Sequence, residues 1–203
     1  MNEIEGIGKK LITNRFGENS FIRVTDIDYY RTCPRRFFIE KVLQLEPPEA
    51  KEYRVEAILL GIIAHEIMQT LLSEPFVDAE DLRVRAEATI DRLLSEKPLE
   101  NYWKNLIRDT FISILPELYE LERSIIDEGY SFMSGELPVK GEIIKGIKLK
   151  GVIDRIDRKI RNSDVVVELI DYKTGTTQFI GSEVITKGTN LQLFIYAALM
   201  KLL

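Results

Sequence analysis

The sequence predicts an α/β fold in which a small mixed β-sheet is flanked by helices. Three observations favour this class: helical spacing of apolar residues before Gly135, short segments rich in Val and Ile after it, and a return to a helical pattern from about Thr189. We predict one domain over residues 1–203. Its core would cover about 21–75 and 134–203, with a long helical insertion at about 76–133.

Length and composition predict a globular protein of the cytoplasm. The 203 residues are 45% hydrophobic and 30% charged, which is enough apolar material for one sizeable core. The net charge of −5 excludes a strongly basic coat for nucleic acid, but not a local basic patch. The single cysteine predicts a reducing compartment. Because no apolar run approaches the roughly 20 residues of a membrane span, and the N-terminus lacks a signal-peptide pattern, we expect no membrane association.

The first 45 residues predict short elements. Lys10–Thr13 is either a strand or irregular chain. Thr25, with Asp28 three residues later, has the pattern of a helix N-cap, and Pro34 would end or restart that helix. Arg35–Leu43 is a further helical piece.

Three longer stretches have apolar residues three and four positions apart, as one face of a helix requires. They cover Arg54–Leu72, Asp78–Leu94 and Ile107–Ile125. Pro116 lies inside the third stretch, where we expect either a kink or the meeting of two helices. In the first stretch the predicted stripe consists of Ile58, Ile62, His65, Met68 and Leu72.

Three strands are predicted after Gly135, at Val139–Ile144, Lys148–Asp157 and Val165–Lys173. Gly or Asn-Ser signals separate them. Val165–Val167 is apolar on both faces, which is typical of a sheet that is covered on both sides.

Asp171 and Lys173 end the third predicted strand, in the run Asp171-Tyr172-Lys173-Thr174-Gly175. Alternate side chains of a strand share a face, so the carboxylate and the ammonium group point the same way. Such a pair can bind a divalent metal and position a water molecule. From this spacing alone, a surface ion pair is the more common explanation.

Asp154 interrupts an apolar strand, with Val152 and Ile156 on its own face. A buried carboxylate needs a cation or hydrogen-bond donors. An antiparallel neighbour would bring Asp171 beside it, and Mg²⁺ or Mn²⁺ would relieve the repulsion between the two carboxylates. The alternative is that Asp154 pairs with Arg155 or Arg158, although strand parity opposes Arg155. Parity also places Asp157 and Glu168 on the opposite faces, as solvent-exposed or structural groups.

His65 is the only histidine in the chain. A lone histidine on an apolar helix face is more often a core residue than a ligand. Gln192 and Tyr196 share one face of the last predicted helix and can reach a phosphate or a base edge. Taken alone, that pair is better explained as ordinary residues at the boundary of the core.

A basic and aromatic cluster lies near the N-terminus. It suits stacking and phosphate contacts with a single nucleic-acid strand. Equally, it fits a helix that buries its aromatic rings and leaves its arginines in water. Cys33 lies within it and is most simply a small buried side chain. The members are Arg31, Arg35 and Arg36, with Tyr29, Tyr30, Phe37 and Phe38.

Taken in order, these motifs resemble the RecB/AddB-type nuclease domain of the PD-(D/E)XK superfamily. The resemblance spans about Phe21 to the C-terminus. The long helical stretch between His65 and Asp154 is more similar to the helicase-associated domains than to the compact CRISPR-associated exonucleases. The motifs are Tyr30–Phe38, Gly61 with His65, Gly151–Asp154, Asp171–Gly175 and Gln192–Tyr196.

The resemblance implies a restriction-endonuclease-like core and a Mg²⁺- or Mn²⁺-dependent DNA nuclease. His65, Asp154 and Asp171 would be metal ligands, together with the main-chain carbonyl of Tyr172. Lys173 would hold the attacking water or stabilise the transition state. Gln192 and Tyr196 would shape the site and contact DNA. From the basic and aromatic pattern we also predict that Arg31, Arg35 and Arg36 bind DNA. The implied partners are DNA, as single strands or duplex ends, and a helicase subunit or domain.

The chain departs from the family pattern in its cysteines. Many relatives bind an iron–sulfur cluster through one cysteine at the position of Cys33 and three more after the Gln-x-x-x-Tyr helix. Here the sequence stops seven residues after Tyr196, within an apolar helical run. We therefore expect a truncated domain, with a cluster only if three cysteines follow Leu203. The alternative functions are a non-catalytic DNA-binding or scaffold subunit and a CRISPR-adaptation exonuclease.

Overall fold

The computed structural model describes residues 3–17, 20–45, 51–173 and 191–202, and of residues 3–5, 8 and 51–59 it describes the backbone alone. The described helices are α1 (Glu3–Phe16), α2 (Val24–Thr32), α3 (Pro34–Phe37), α4 (Lys51–Leu72), α5 (Ala79–Glu96), α6 (Asn101–Asp127) and α7 (Gln192–Met200). A π-helical turn, Phe38–Val42, follows α3. The described strands are β1 (Ile22–Arg23), β2 (Ser131–Ile144), β3 (Ile147–Arg161) and β4 (Asp164–Ile170).

The sheet is mixed, which confirms the predicted fold class. Strand β3 lies between β1 and β2 and also pairs with β4. The β1 pairing is parallel, with Ile22 opposite Leu149, whereas the β4 pairing is antiparallel. Asn162 and Ser163 connect β3 to β4 with φ angles of 49° and 72°. Two successive positive φ values match the right-handed twist of the paired strands, so this turn fixes their register.

The N-terminal segment differs from the prediction. Lys10–Thr13 lies within α1 and forms no strand. Helix α2 begins one residue before Thr25, and its N-terminus has no side-chain cap. In the first turn of α2, Asp26 is buried, and its carboxylate pairs with the Lys41 ammonium group at 3.6 Å. A carboxylate close to a helix N-terminus thus serves a tertiary ion pair.

The chain divides into two compact units. The first contains Met1–Ala50, Leu137–Ile153 and Gln178–Leu203. The second contains Lys51–Glu136 and Asp154–Thr177, so it holds the helices predicted as an insertion together with His65, Asp154 and Asp171. The division of one domain into a core and an insertion at 76–133 stays a prediction.

In the second unit, α4, α5 and α6 enclose an apolar core, but the buried face of α4 is offset from the predicted stripe. Ile63, Ile67 and Leu71 are buried, whereas Ile62 is 55% exposed. Because this helix is apolar around most of its circumference, spacing alone did not determine which face packs inward. His65 consequently lies beside the core face and not in its centre.

Helix α6 runs unbroken through Pro116, so the alternative of two helices was wrong. The end of the sheet also differs from the prediction. Strand β4 stops at Ile170, which leaves Asp171–Lys173 just beyond it. Val165 and Val167 are 61% and 40% exposed, so the triple valine reflects β-propensity and not burial on both faces. Within the described residues, no helix has the length and apolar character needed to cross a bilayer.

Candidate active site

The register of β3 and β4 brings Asp154, midway along β3, beside Asp171, just after the end of β4. Arg155 is opposite Ile170, so the next pair in this register is Asp154 with Asp171. The main-chain N–H of Tyr172 donates a hydrogen bond of 2.7 Å to Oδ2 of Asp154. This bond continues the cross-strand connection beyond the last residue of β4. Side-chain alternation along the two strands therefore gives Asp154 and Asp171 the same face.

Asp154 is a desolvated carboxylate. Its side chain is 12% exposed, and its Oδ2 atom lies 3.6 Å from Nδ1 of His65. Burial raises the pKa of Asp154, and the nearby charge of Asp171 adds to that rise. The Tyr172 N–H, His65 and Lys173 oppose it without cancelling it. The neighbouring groups of the protein therefore do not fully stabilise the ionised form of Asp154.

Asp171 and Lys173 form an ion pair directly after β4. The Asp171 carboxylate is 7% exposed, whereas the Lys173 side chain is 43% exposed. The carboxylate therefore faces the protein while the ammonium group reaches solvent. This arrangement leaves the lysine accessible to a ligand that approaches the end of the strand. Thr174 and Gly175, the rest of this motif, lie outside the described residues.

His65 reaches the same place from α4. Besides Asp154, it contacts the ring of Tyr172 edge to face, with the ring centroids 5.9 Å apart. Its side chain is partly exposed. The alternative of a fully buried core histidine is wrong, because the packed face of α4 is the neighbouring one.

The donor chemistry of this site fits a hard divalent cation. Two carboxylates and one imidazole are ligands that Mg²⁺ and Mn²⁺ accept. A cation would also stabilise the ionised form of Asp154, whose pKa is raised by burial and further by the charge of Asp171. In the part of the chain that the structure describes, no three His, Cys, Asp or Glu side chains are already grouped to hold a metal. The set of His65, Asp154, Asp171 and the Tyr172 carbonyl as ligands stays a prediction.

An apolar cavity of about 470 Å³ adjoins this site within the second unit. Tyr172 and Lys173 form part of its wall, and the remaining residues come from α4 and α6. Met68 and Phe111 are among them. The cavity thus supplies an apolar wall next to the site on the side of Lys173.

A buried charged cluster, which we did not predict from the sequence, adjoins the predicted ligands. Arg155 donates to both oxygens of Glu122 at 2.7 and 2.9 Å and to both oxygens of Asp157 at 2.8 and 2.7 Å. All three side chains are buried, and Asp157 is fully so. Of the two roles considered for Asp157, solvent exposure is wrong and a structural role is correct. Arg155 and Asp157 are two residues apart on β3 and therefore share a face, which is the feature of the sequence that indicates their ion pair.

Gln192 and Tyr196 are buried in the first unit. The Gln192 amide donates to the Tyr196 hydroxyl at 3.2 Å, and the Tyr196 ring packs directly on Gly151. A Cβ atom at position 151 would lie 2.5 Å from that ring. The pair therefore attaches α7 to β3. Its contact with DNA stays a prediction.

The arginines of the basic cluster are partly committed to intramolecular contacts. Arg36 binds Glu40 at 2.7 Å and lies over the ring of Tyr29 at 5.0 Å. Arg31 pairs with Asp28 at 3.6 Å. Arg35 is exposed. Contact of Arg31, Arg35 and Arg36 with DNA stays a prediction, and Arg36 would have to exchange its carboxylate partner for a phosphate.

Cys33 is half-buried at the end of α2, where it lines a cavity of about 210 Å³ together with Thr25, Asp28 and Arg36. A cluster of the cubane type needs four thiolates, and the whole sequence contains one. The residues present do not fit an iron–sulfur cluster by themselves.

Comparison with known proteins identifies the family. The sequence profile of the PD-(D/E)XK nuclease superfamily matches residues 23–203. The chain is similar to bacterial proteins that are each named as one subunit of an ATP-dependent helicase/deoxyribonuclease. With the Clostridium botulinum protein (strain Loch Maree) it shares 28% identity over 96% of this chain, and with the Caldanaerobacter subterraneus protein 26% over 96%. With the Lachnoclostridium phytofermentans protein it shares 23% over 100%.

The chain belongs to the PD-(D/E)XK nuclease superfamily, because the match covers most of its length. The resemblance to RecB/AddB-type domains, based on five short motifs, is thereby confirmed. The chain spans about a fifth of the length of these curated relatives, 18–19% in the three cases above.

Proposed function

We propose that this member of the PD-(D/E)XK nuclease superfamily hydrolyses DNA phosphodiester bonds with the help of Mg²⁺ or Mn²⁺. One observation carries the proposal: Asp154, midway along β3, is opposite Asp171 in the strand register, Lys173 pairs with Asp171, and His65 lies 3.6 Å from Asp154. Two acids, a lysine and an imidazole at one strand end are the parts that metal-assisted hydrolysis requires.

Each side chain has a role that follows from its environment. Asp154 and Asp171 are desolvated carboxylates that would hold the cation, with His65 and the Tyr172 carbonyl as further ligands. When bound, the cation supplies Lewis-acid polarisation of the phosphate and lowers the pKa of water. Lys173 would stabilise negative charge on the phosphate in the transition state, for which its exposed ammonium group is suited.

We further propose that the substrate is a DNA end or a single strand, and that the nuclease acts with a helicase in repair or recombination in the cytoplasm. The support is the name of the relatives, which combines helicase and deoxyribonuclease. The net charge of −5 means that a local basic surface or a partner must hold the DNA. The length of the helical stretch argues against a compact CRISPR-adaptation exonuclease.

The test is cleavage of end-labelled linear single-stranded and duplex DNA by the purified chain, with Mg²⁺, Mn²⁺ or EDTA. We expect shortened products with either metal and none with EDTA. Asp154→Asn should abolish the products. Asp164→Asn is the matched control, because Asp164 is exposed at the start of β4 and should leave cleavage unchanged.

Absence of metal-stimulated cleavage, in protein shown to be folded by circular dichroism, would overturn the proposal and favour the non-catalytic DNA-binding or scaffold subunit. That alternative predicts retention of DNA binding in a gel-shift assay. It is the weaker alternative because the chain retains both acids and the lysine of the motif.

A further inference from the structure

The buried cluster of Glu122, Arg155 and Asp157 contains two carboxylates and one guanidinium. Burial lowers the pKa of Arg155, but its hydrogen bonds to Glu122 and Asp157 outweigh this effect, so the pKa is raised and the charge is fixed. Replacing a buried ion pair by apolar residues of similar volume is often neutral or stabilising. Stability alone is therefore a weak explanation for keeping three charged groups in this interior.

The cluster connects three parts of the second unit. Glu122 lies on α6, and Arg155 and Asp157 lie on β3. Arg155 is opposite Ile170 in the β3–β4 register, and Tyr172 follows Ile170 by two residues, so strand alternation puts the side chains of Arg155 and Tyr172 on one face. Burial raises the pKa of Tyr172 to about 12, and the nearby charge of Arg155 opposes that rise.

Tyr172 in turn touches two of the predicted metal ligands. Its main-chain N–H donates to Asp154 at 2.7 Å, and its ring meets the ring of His65 edge to face at 5.9 Å. The ring also packs against the apolar core of α4, α5 and α6. Tyr172 thus shares a strand face with Arg155 and contacts both Asp154 and His65.

We propose that Glu122, Arg155 and Asp157 are positioning residues for the active site, and that they act through Tyr172, whose ring contacts His65 and whose main-chain N–H binds Asp154. This inference rests on the proposed function, and it gives the Tyr172 side chain a role distinct from that of its carbonyl. Partners that orient metal ligands without binding the metal commonly change affinity or activity by about 10- to 100-fold when they are removed.

The principal variant is Tyr172→Phe, which removes the hydroxyl from the side chain that shares a strand face with Arg155 but keeps the ring and the main chain. Tyr119→Phe is the matched control, because Tyr119 packs against the same core and, within the described residues, contacts the ring of Phe76 and none of the predicted ligands. Glu122→Gln is the second variant, since it weakens the cluster from the side of α6 while Arg155 keeps Asp157.

Four measurements separate positioning from folding. The ring signals of His65, the only histidine, report its orientation by NMR in the metal-free chain. Their broadening by Mn²⁺ reports metal affinity. Steady-state kinetics on linear single-stranded DNA separates kcat from KM, and thermal unfolding reports stability.

For Tyr172→Phe we expect shifted His65 signals and about a tenfold increase in the Mn²⁺ concentration that gives half-maximal broadening. We also expect kcat to fall about tenfold while KM for DNA stays within about twofold of the original value. Glu122→Gln should shift the same signals by a smaller amount. Tyr119→Phe should move none of them. Unchanged His65 signals and an unchanged Mn²⁺ response in Tyr172→Phe would overturn the inference, whatever happens to the melting temperature.

Failure of the proposed function has a different signature. An unaltered chain that shows neither Mn²⁺ broadening of His65 nor DNA cleavage refutes the metal-dependent nuclease. In that case the comparison of His65 signals in metal-free Tyr172→Phe and Tyr119→Phe still decides whether the cluster positions His65.

Discussion

The main-chain N–H of Tyr172 donates to Oδ2 of Asp154 over 2.7 Å, and this bond ties the residue after Asp171 to the neighbouring strand. Strand β4 has already ended at Ile170, so the bond keeps the cross-strand register where ladder pairing has stopped. The bond therefore helps to keep Asp171, the residue before Tyr172, beside Asp154 on the neighbouring strand.

Asp171→Ala and Lys173→Ala should each lower the turnover number for linear single-stranded DNA by roughly a hundredfold or more, because electrostatic groups at a phosphoryl centre act on that scale. The fold should persist, since both residues follow the last residue of β4. Single-turnover cleavage in Mn²⁺ measures the effect, and circular dichroism checks the fold.

Glu168→Ala is the control for this pair. Glu168 is opposite Asp157 in the β3–β4 register and therefore lies on the other face from Asp171. We expect it to retain most of the activity. Loss of cleavage in Glu168→Ala with retention in Asp171→Ala would show that the strand face has been assigned to the wrong set of residues.

Asp154→Asn should stabilise the metal-free protein at neutral pH while abolishing cleavage. The pKa of Asp154 is raised above its ordinary value of 3.8, first of all by burial. An acid with a higher pKa in the folded than in the unfolded protein destabilises the fold once it is ionised. The asparagine removes that penalty, and its amide oxygen still accepts the Tyr172 N–H.

Because the pKa of Asp154 is raised, the stability difference between Asp154→Asn and the original protein should depend on pH. The stability advantage of Asp154→Asn should be complete above the folded pKa of Asp154 and should shrink as the pH falls through it, because Asp154 itself then becomes neutral. Urea unfolding in EDTA from neutral pH to about pH 4 measures this difference between the two proteins. An advantage that grows on acidification would mean that the pKa of Asp154 is lowered in the folded state.

The part of the site that the sequence predicted is the part governed by local rules. Asp154 and Asp171 follow from strand alternation, and the positive-φ turn at Asn162 and Ser163 follows from residue type. His65 depended on the family resemblance, because α4 is apolar around most of its circumference. Its buried face, with Ile63 and Ile67, follows from tertiary packing.

The buried cluster was beyond the reach of such rules. Glu122 and Arg155 are 33 residues apart and lie on different elements, so no periodicity connects them. Glu122 is charged but occupies a buried position on α6. The sequence alone does not show whether Glu122 is exposed or buried. Its partner, Arg155, is defined only when β3 packs against α6.

Gly151→Ala should destabilise the first unit by roughly 1–3 kcal/mol, the usual range for overpacking. The new methyl group would lie 2.5 Å from Cε1 and 2.8 Å from the hydroxyl oxygen of Tyr196, whose ring is buried and bonded to Gln192. Thermal unfolding measures the loss. Introduced into a Tyr196→Ala background, the same substitution should no longer destabilise, because the clashing ring is gone.

Gly6→Ala provides a matched control for that substitution. Gly6 lies within α1, and a Cβ atom there meets nothing within 4 Å. Helix propensity favours alanine over glycine by about 1 kcal/mol, so this change should leave the protein unchanged or slightly more stable. Equal destabilisation by the two substitutions would contradict the close contact between Gly151 and Tyr196.

The purified 203-residue chain should be colourless, with no absorbance near ~400 nm of the kind that an iron–sulfur cluster gives. Cys33 supplies one thiolate, and a cubane cluster normally needs four. Anaerobic reconstitution with iron and sulfide, followed by visible spectroscopy, measures whether this absorbance is absent.

If the gene encodes three cysteines beyond Leu203, the extended protein should become brown and melt at a higher temperature. Cys33→Ser should reverse both changes. An extended protein that stays colourless would leave Cys33 as a packing residue.

Glu122→Ala should destabilise the protein by about 3–5 kcal/mol, as is usual when one member of a buried ion pair is removed. Arg155 would lose both of its hydrogen bonds to Glu122 and keep only those to Asp157. Glu120→Ala, two residues earlier on the exposed side of α6, should change stability by no more than about 0.5 kcal/mol. Urea unfolding of both variants measures the contrast. Equal effects would mean that the Glu122 carboxylate contributes no more than a solvated one, and that Arg155 is held by Asp157 alone.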